Sequence, residues 1–130
     1  MDFEISFIDD EQIVVVKTSG RATLEGFDAY LDAMTSDPRW RTGMSILSDH
    51  SELDTSDLSR HDIENLVSHR LSETDVVGGG LCAIVAGTPL SFGLGRMFEA
   101  YAEDVLPLRT RVFATTDEAL AWLREERAAH

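Results

Sequence analysis

The chain has 130 residues, of which 43% are hydrophobic and 27% charged, a composition typical of one globular domain covering residues 1–130. Its formal net charge of −13 argues against nucleic-acid binding, because an acidic surface and a phosphate backbone repel each other. A single cysteine, an acidic start without a basic leader region and no apolar run near the roughly 20 residues of a membrane span predict a cytoplasmic protein that does not cross a membrane.

The first predicted elements are a hairpin and a helix. Phe3, Ile5 and Phe7 alternate with polar residues, which predicts a strand with one buried face. The β-branched run at residues 13–16 predicts a second strand, buried on both faces and antiparallel to the first. Thr23 then has the position of a helix N-cap, and apolar residues at helical spacing follow it.

Three further strands alternate with three further helices. The predicted strands cover residues 44–49, 81–86 and 111–114. The helices that follow begin near Ser59, Pro89 and Thr115, and an acidic residue three positions after Ser59 and Thr115 predicts a capping box at each. The order ββαβαβαβα predicts an α/β domain with a mainly parallel five-stranded sheet, one antiparallel strand and four helices.

The polar stretch at residues 50–58 is predicted to be a loop after the third strand. Ligands of α/β proteins often bind beyond the carboxyl ends of strands. The acids and histidines in and beside this stretch are Asp49, His50, Asp54, Asp57, His61 and Asp62. Their spacing is not that of a metal site, so a solvated loop that caps the next helix is the favoured interpretation, and no metal or cofactor is predicted.

No set of catalytic residues is visible in the sequence. Gly78, Gly79 and Gly80 match part of a dinucleotide fingerprint, but they precede a strand rather than a helix, which favours a simple turn. Cys82 lies within an apolar strand and is predicted to be a small core residue rather than a nucleophile. Because no nucleophile elbow of the form G-x-S-x-G occurs, we predict that the protein is not an enzyme.

The beginning of the third helix is a candidate ligand site. Ser91, Gly93 and Arg96 combine small residues with one cation at a helix N-terminus, a place where anions are stabilised. The alternative is that the glycines allow close helix–sheet packing and that Arg96 pairs with one of the many acids. The apolar residues of this helix are interpreted as core, or as the lining of an apolar ligand pocket.

Two sequence segments carry a resemblance to known proteins. They are F-G-L-G-R-M-F-E at residues 92–99 and D-E-A-L-A-W-L at residues 117–123, with weaker support from Gly20 and residues 24–31, 37–40, 46–49 and 112–113. These segments, spread over nearly the whole chain, resemble a bacterial family described as SpoIIAA-like, whose fold is related to the STAS domains of anti-sigma factor antagonists. The resemblance implies that fold and a regulatory role, in a branch whose members are mostly uncharacterised.

The resemblance also implies a phosphorylation site. Anti-sigma factor antagonists carry a D-S-[ST]-G-like turn between a central strand and a helix, and a partner kinase phosphorylates its serine. The corresponding region here is residues 54–59, in which Ser56 is the nearest match and Ser59 the second candidate. Asp57 occupies the place of the glycine, and the loop is longer.

Two functions stay open at this level. The leading hypothesis is a non-enzymatic regulatory or protein-interaction module, switched at Ser56 or Ser59 and bound by a protein partner. The alternative is a small-molecule or lipid-binding module, with a pocket for an apolar or anionic ligand near the third helix. A homodimer is the candidate assembly, because it is the commonest closed one.

Overall fold

The computed structural model of the chain describes residues 1–71, 80–106 and 108–129. Its strands are β1 (Asp2–Ile8), β2 (Ile13–Arg21), β3 (Ser45–Asp54), β4 (Leu81–Ala86) and β5 (Arg109–Phe113). Its helices are α1 (Leu24–Ser36), α2 (Arg60–Asn65), α3 (Pro89–Val105) and α4 (Thr116–Ala129). A 3-10 turn at Asp9–Glu11 joins β1 to β2, and a π-helical turn at Leu66–Leu71 continues α2.

The five strands form one sheet in the order β1-β2-β3-β4-β5. β1 and β2 are an antiparallel hairpin and all other neighbours are parallel, which confirms the predicted α/β architecture. Each parallel strand lies beside its predecessor, so right-handed crossovers place α1, α2 and α3 on the same face of the sheet. α4 follows the last strand, makes no crossover, and packs on the opposite face.

The sheet therefore separates two apolar cores of unequal size. The larger core lies under α1, α2 and α3, where Val14, Met34 and Val67 are almost completely buried. The smaller core lies under α4, where Leu47 and Leu123 meet across the sheet face. Successive strand residues alternate between these two cores, which explains why residues 13–16 of β2 and the whole of β4 are continuously apolar.

The helix beginnings follow the local sequence. Thr23 accepts a hydrogen bond from the Gly26 N–H at 2.9 Å, and Ser59 forms a reciprocal capping box with Asp62, so both predicted caps are confirmed. Thr115 accepts a hydrogen bond from the Glu118 N–H at 3.3 Å at the start of α4. None of the helices in the described ranges has the length and apolarity that a membrane crossing requires.

The largest error in a predicted boundary concerns the third strand. The loop expected from residue 50 onward is strand as far as Asp54, because the polar half of β3 pairs in parallel with the end of β2, where Arg21 lies opposite Asp54. The hydrogen-bond ladder of a long neighbouring strand outweighs the weak strand propensity of serine, glutamate and aspartate. Gly78 and Gly79 of the glycine turn lie outside the described residues.

Candidate functional site

The loop between β3 and α2 lies at the carboxyl end of the parallel strands and presents Ser56 to solvent. Its shape depends on Asp54, whose Oδ1 accepts hydrogen bonds from the Ser56 backbone N–H at 3.0 Å and from the Ser56 hydroxyl at 2.6 Å. These two bonds hold the pKa of the Asp54 carboxyl below its usual value. The Leu58 N–H donates to the Thr55 carbonyl at 3.0 Å and closes the turn. The loop thus holds an exposed hydroxyl in a defined turn.

Among the ion pairs of the described residues, one brings a cation to this turn, and that cation is Arg21. The Nε of Arg21, at the end of β2, is 3.0 Å from Oδ2 of Asp57. Both side chains are more than half exposed, so the pair contributes little to stability. Arg21 is therefore a positive charge that a new anion on the loop is able to attract away from Asp57.

Ser59, the second candidate serine, stabilises the start of α2. Ser59 is the N-cap of α2, and its hydroxyl accepts a hydrogen bond from the Asp62 N–H at 3.1 Å. The Asp62 carboxylate accepts one from the Ser59 N–H at 2.9 Å. Ser56 caps no helix, so a modification there leaves the start of α2 intact, whereas one at Ser59 replaces a cap.

The three candidate residues of α3 do not line one site. The hydroxyl of Ser91 is buried and lies 2.6 Å from the hydroxyl of Thr55, which ties the β3–α2 loop to the start of α3. Gly93 and Arg96 are exposed on the other side of the helix. An anion held by all three together has no support in this geometry, and anion binding here stays a prediction.

Behind the loop, a cavity of about 80 Å³ lies between the sheet and helices α1, α2 and α3. Most of its wall is apolar, and its polar groups come from α1, β3, β4, α3 and the loop between β3 and α2. The apolar residues include Phe27, Leu53, Leu58, Ile63, Leu94 and Phe98, and the polar ones include Tyr30, Ser48, His50 and Cys82. The residues that line this cavity come from six elements, which no local sequence pattern groups together.

The polar groups in the cavity wall are uncharged near neutral pH. Burial lowers the pKa of His50 to about 4 and raises the pKa of the Cys82 thiol to about 12. Burial likewise raises the pKa of the Tyr30 phenol. Nδ1 of His50 is 2.6 Å from the Thr18 hydroxyl, and the rings of Phe27 and Tyr30 contact the imidazole edge-on. Cys82 is a protonated core thiol, as expected for an unreactive cysteine.

The predicted acid and histidine cluster is dispersed by the fold. Asp54 holds the Ser56 turn, Asp57 pairs with Arg21, and His50 faces the larger core. Across residues 1–71, 80–106 and 108–129, no three histidine, cysteine, aspartate or glutamate side chains are grouped to hold a metal ion. Sequence reasoning missed the partial burial of His50. The signal in the sequence was the period-two alternation of the strand, which places His50 on the same face as Ile46 and Ser48.

Comparisons with known proteins place this geometry in a known fold. No family model matches the chain, and no curated protein is similar to it. An uncharacterised protein of the DUF3478 family with a SpoIIAA-like fold, from Shewanella loihica PV-4, is 22% identical over 94% of this chain and 92% of its own, with a TM-score of 0.58. The anti-sigma factor antagonist SpoIIAA in its unphosphorylated form is 18% identical over 95% of this chain and 97% of its own, with a TM-score of 0.55.

The fold is SpoIIAA-like. The SpoIIAA-like fold accounts for the order of the strands, the antiparallel first strand and the four helices, as the sequence resemblance implied. Similarity at these identities establishes the fold, and the role of the chain has to be argued from its own residues.

Proposed function

We propose that this chain is a non-enzymatic regulatory module that binds a protein partner and is switched by phosphorylation of Ser56. The observation that carries the proposal is the exposed Ser56 hydroxyl in a tight turn between β3 and α2 of a SpoIIAA-like fold. Support also comes from a similar structure, which is that of an anti-sigma factor antagonist in its unphosphorylated form.

The contacts around Ser56 suggest how a phosphate acts. The hydroxyl now donates to Asp54 at 2.6 Å, whereas a phosphate carries nearly two negative charges and only acceptor oxygens. It therefore repels Asp54 and Asp57 and attracts Arg21, which at present pairs with Asp57 at 3.0 Å. The predicted consequence is a rearranged turn with a new anionic surface, which changes the affinity for a partner.

The test begins with intact-mass and peptide mass spectrometry on the protein isolated from its own host. Phosphate on the peptide that contains Ser56, absent from a Ser56→Ala variant and retained in Ser59→Ala, supports the proposal. A partner recovered by wild type must then bind Ser56→Ala and Ser56→Glu with affinities that differ by about tenfold or more. An unmodified Ser56 under all growth conditions, with equal partner binding by the two variants, contradicts it.

A second candidate function rests on the cavity. A volume of about 80 Å³ holds several water molecules or the end of a small apolar molecule, because one water needs roughly 10–15 Å³ on this measure. The uncharged wall suits a neutral ligand better than an anion. Support would be a small molecule that co-purifies with wild type and is lost when Ala86→Leu fills the cavity. A ligand retained in Ala86→Leu, or none in wild type, contradicts this function.

A further inference from the structure

One exposed face of α3 is apolar from Leu90 to Ala100. Leu90 and Met97 are 54% and 38% exposed, and they are the exposed large hydrophobic residues of the described chain. Gly93 and Ala100 are exposed as well. The four residues follow one another at intervals of three, four and three, so they form one line on the helix surface. We refer to Leu90, Gly93, Met97 and Ala100 as the α3 stripe.

Gly93 has no reason to be glycine within the folded chain. A Cβ placed on Gly95 would lie 2.7 Å from Cγ2 of Val112, so the packing of α3 on β5 requires that glycine. A Cβ placed on Gly93 meets nothing within 4 Å. An interior glycine weakens a helix. An unfilled position between two exposed apolar side chains fits a surface that another backbone approaches closely.

The charges around the stripe differ from those of the rest of the surface. The chain carries a formal net charge of −13, yet residues 87–98 contain no acid. Arg96 is exposed beside the stripe and makes no ion pair or hydrogen bond with the described residues, whereas Arg124 pairs with Glu11 and Arg109 with Glu126. On an acidic protein, a cation that has no partner among the described residues and lies next to exposed apolar side chains provides a charge for a partner to complement.

We propose that the α3 stripe docks one amphipathic helix of a protein partner, which brings large apolar side chains to Gly93 and Ala100 and a carboxylate to Arg96. This is packing of large side chains into small positions between two helices, oriented by one ion pair. The proposal rests on the partner-binding role proposed above. It extends that role by naming the surface and the chemistry of the partner.

The stripe and the switch loop are adjacent. The hydroxyl of Thr55, next to Ser56, is 2.6 Å from the hydroxyl of Ser91, next to Leu90. A rearrangement of the turn at Ser56 therefore reaches the first residues of the stripe through one buried contact. A helix docked on α3 would be sensitive to the state of that loop.

Two other occupants fit the charges less well. If two copies packed their α3 helices antiparallel, with Leu90 on Ala100 and Met97 on Gly93, the two-fold axis would pass near Gly95. The Arg96 side chains of the two molecules would then lie beside each other, and like charges at an interface are unfavourable. An anionic bilayer is repelled by the net charge of −13.

The probe for the test is a display library of amphipathic helices of about 18 residues, or five turns. The library has leucine at the heptad core positions and random residues elsewhere. It is selected on the full chain, and the affinities of the enriched peptides are measured by fluorescence anisotropy. The variants are Gly93→Gln, Met97→Glu and Arg96→Glu, and the control is Ala121→Gln, an exposed alanine of α4 on the opposite face.

The expected result is that enriched peptides share one acidic position and bind about tenfold or more weakly to Gly93→Gln and Met97→Glu, with Ala121→Gln unchanged. Arg96→Glu should weaken binding, and a peptide with lysine at the acidic position should restore it. Helical circular dichroism of each variant confirms that it is folded. Because Gly93 is open to solvent, Gly93→Gln tests the site without disturbing the core.

The opposing results are distinct. The proposal would be overturned if no peptide were enriched, or if the enriched peptides bound the three α3 variants as tightly as wild type. A dimer detected by light scattering and dissociated by Met97→Glu would also overturn it. Binding to phosphatidylglycerol vesicles that Met97→Glu abolishes would do the same. A further result is that the α3 variants weaken peptide binding while Ser56→Glu and Ser56→Ala bind the peptides equally. That result would support the docking surface and contradict only the proposed switch at Ser56.

Discussion

At the scale of single residues, the two glycines of α3 differ in what surrounds them. Gly93→Ala should raise the free energy of unfolding of the free chain by about 0.5–1 kcal/mol, because alanine is the better helix former and its Cβ meets only solvent. Gly95→Ala should lower it by about 1–3 kcal/mol, since its Cβ would lie 2.7 Å from the Val112 side chain. Urea denaturation of both variants measures the difference.

The pair provides its own control. Both variants add the same methyl group to the same helix, so helix propensity is common to them and the difference isolates the packing against β5. A Gly95→Ala protein as stable as Gly93→Ala would mean that α3 shifts away from β5 at little cost. The close helix–sheet contact would then not be what requires Gly95.

His50 makes stability depend on pH. Burial lowers its pKa from 6.5 to about 4 in the folded chain, so between these values the unfolded chain binds more protons than the folded one. Stability is complete above pH 6.5 and falls as the pH drops toward 4. The total loss from this residue is at most about 3.5 kcal/mol, because each pKa unit corresponds to roughly 1.4 kcal/mol.

The matched variant is His50→Asn, whose amide is able to keep the contact to Thr18 but does not titrate in this range. Denaturant unfolding at several pH values should give a curve for the variant that is flatter than wild type between pH 6.5 and 4. Asp37 and Asp54 also have lowered pKa values, but they lose their stabilising contributions at lower pH. Parallel curves for the two proteins would show that His50 accepts its proton in the folded core.

At the scale of elements, α2 depends on its cap. It has only six helical residues before the π-helical turn, so a lost cap is a large share of its stability. Ser59→Ala should lower the free energy of unfolding by about 1 kcal/mol. Ser56→Ala should change the free energy of unfolding by roughly a few tenths of a kcal/mol, since Ser56 is exposed and caps no helix.

The two serine variants are compared by urea denaturation, with hydrogen exchange of the α2 amides as a local readout. Faster exchange in Ser59→Ala than in Ser56→Ala is the expected pattern. Equal stability would mean that the capping box is dispensable. It would also remove the structural reason for favouring Ser56 over Ser59 as the switch.

β3 is the element that the sequence described least well. Its first residues were predicted as strand, but its polar half was interpreted as loop because strand propensity is low there. The deciding contact is non-local, since Arg21 at the end of β2 lies opposite Asp54. The extension places His50 in the wall of the cavity beside the larger core and leaves residues 55–59 as the loop, which confines the candidate switch to a shorter segment.

At the scale of the whole molecule, net charge opposes folding. The formal charge of −13 is spread over one small domain, and its self-repulsion is screened as the Debye length falls from about 30 Å at 0.01 M salt to about 8 Å at 0.15 M. Thermal unfolding should therefore shift to higher temperature as sodium chloride is added over this range. The exposed pairs, such as Arg124 with Glu11 at 3.0 Å, contribute too little to reverse the trend.

The salt series has a clear opposing outcome. A melting temperature that falls with salt would mean that the surface ion pairs together outweigh the repulsion among the excess acids. Sodium sulfate at matched ionic strength separates screening from ion-specific effects, because sulfate also strengthens the burial of apolar surface.

The sequence by itself determined the order of the elements, the first hairpin, the parallel sheet and the caps at Thr23, Ser59 and Thr115. All of these depend on residues close together in the chain, where hydrophobic period, turn chemistry and capping distances are directly visible. It also placed Cys82 in the core, because an uninterrupted apolar strand has no exposed face. The exposed serine loop followed from the sequence resemblance combined with that element order.

Only the tertiary structure decided which side chains meet. It dispersed the acid and histidine cluster, brought His50 against the rings of Phe27 and Tyr30, and left Arg96 without an ionic partner among the residues that the structure describes. It also put α1, α2 and α3 on one face, as right-handed crossovers in sequential strand order require, and α4 on the other. Burial and pairing are contacts between residues far apart in the chain, and their energies depend on a geometry that no local pattern encodes.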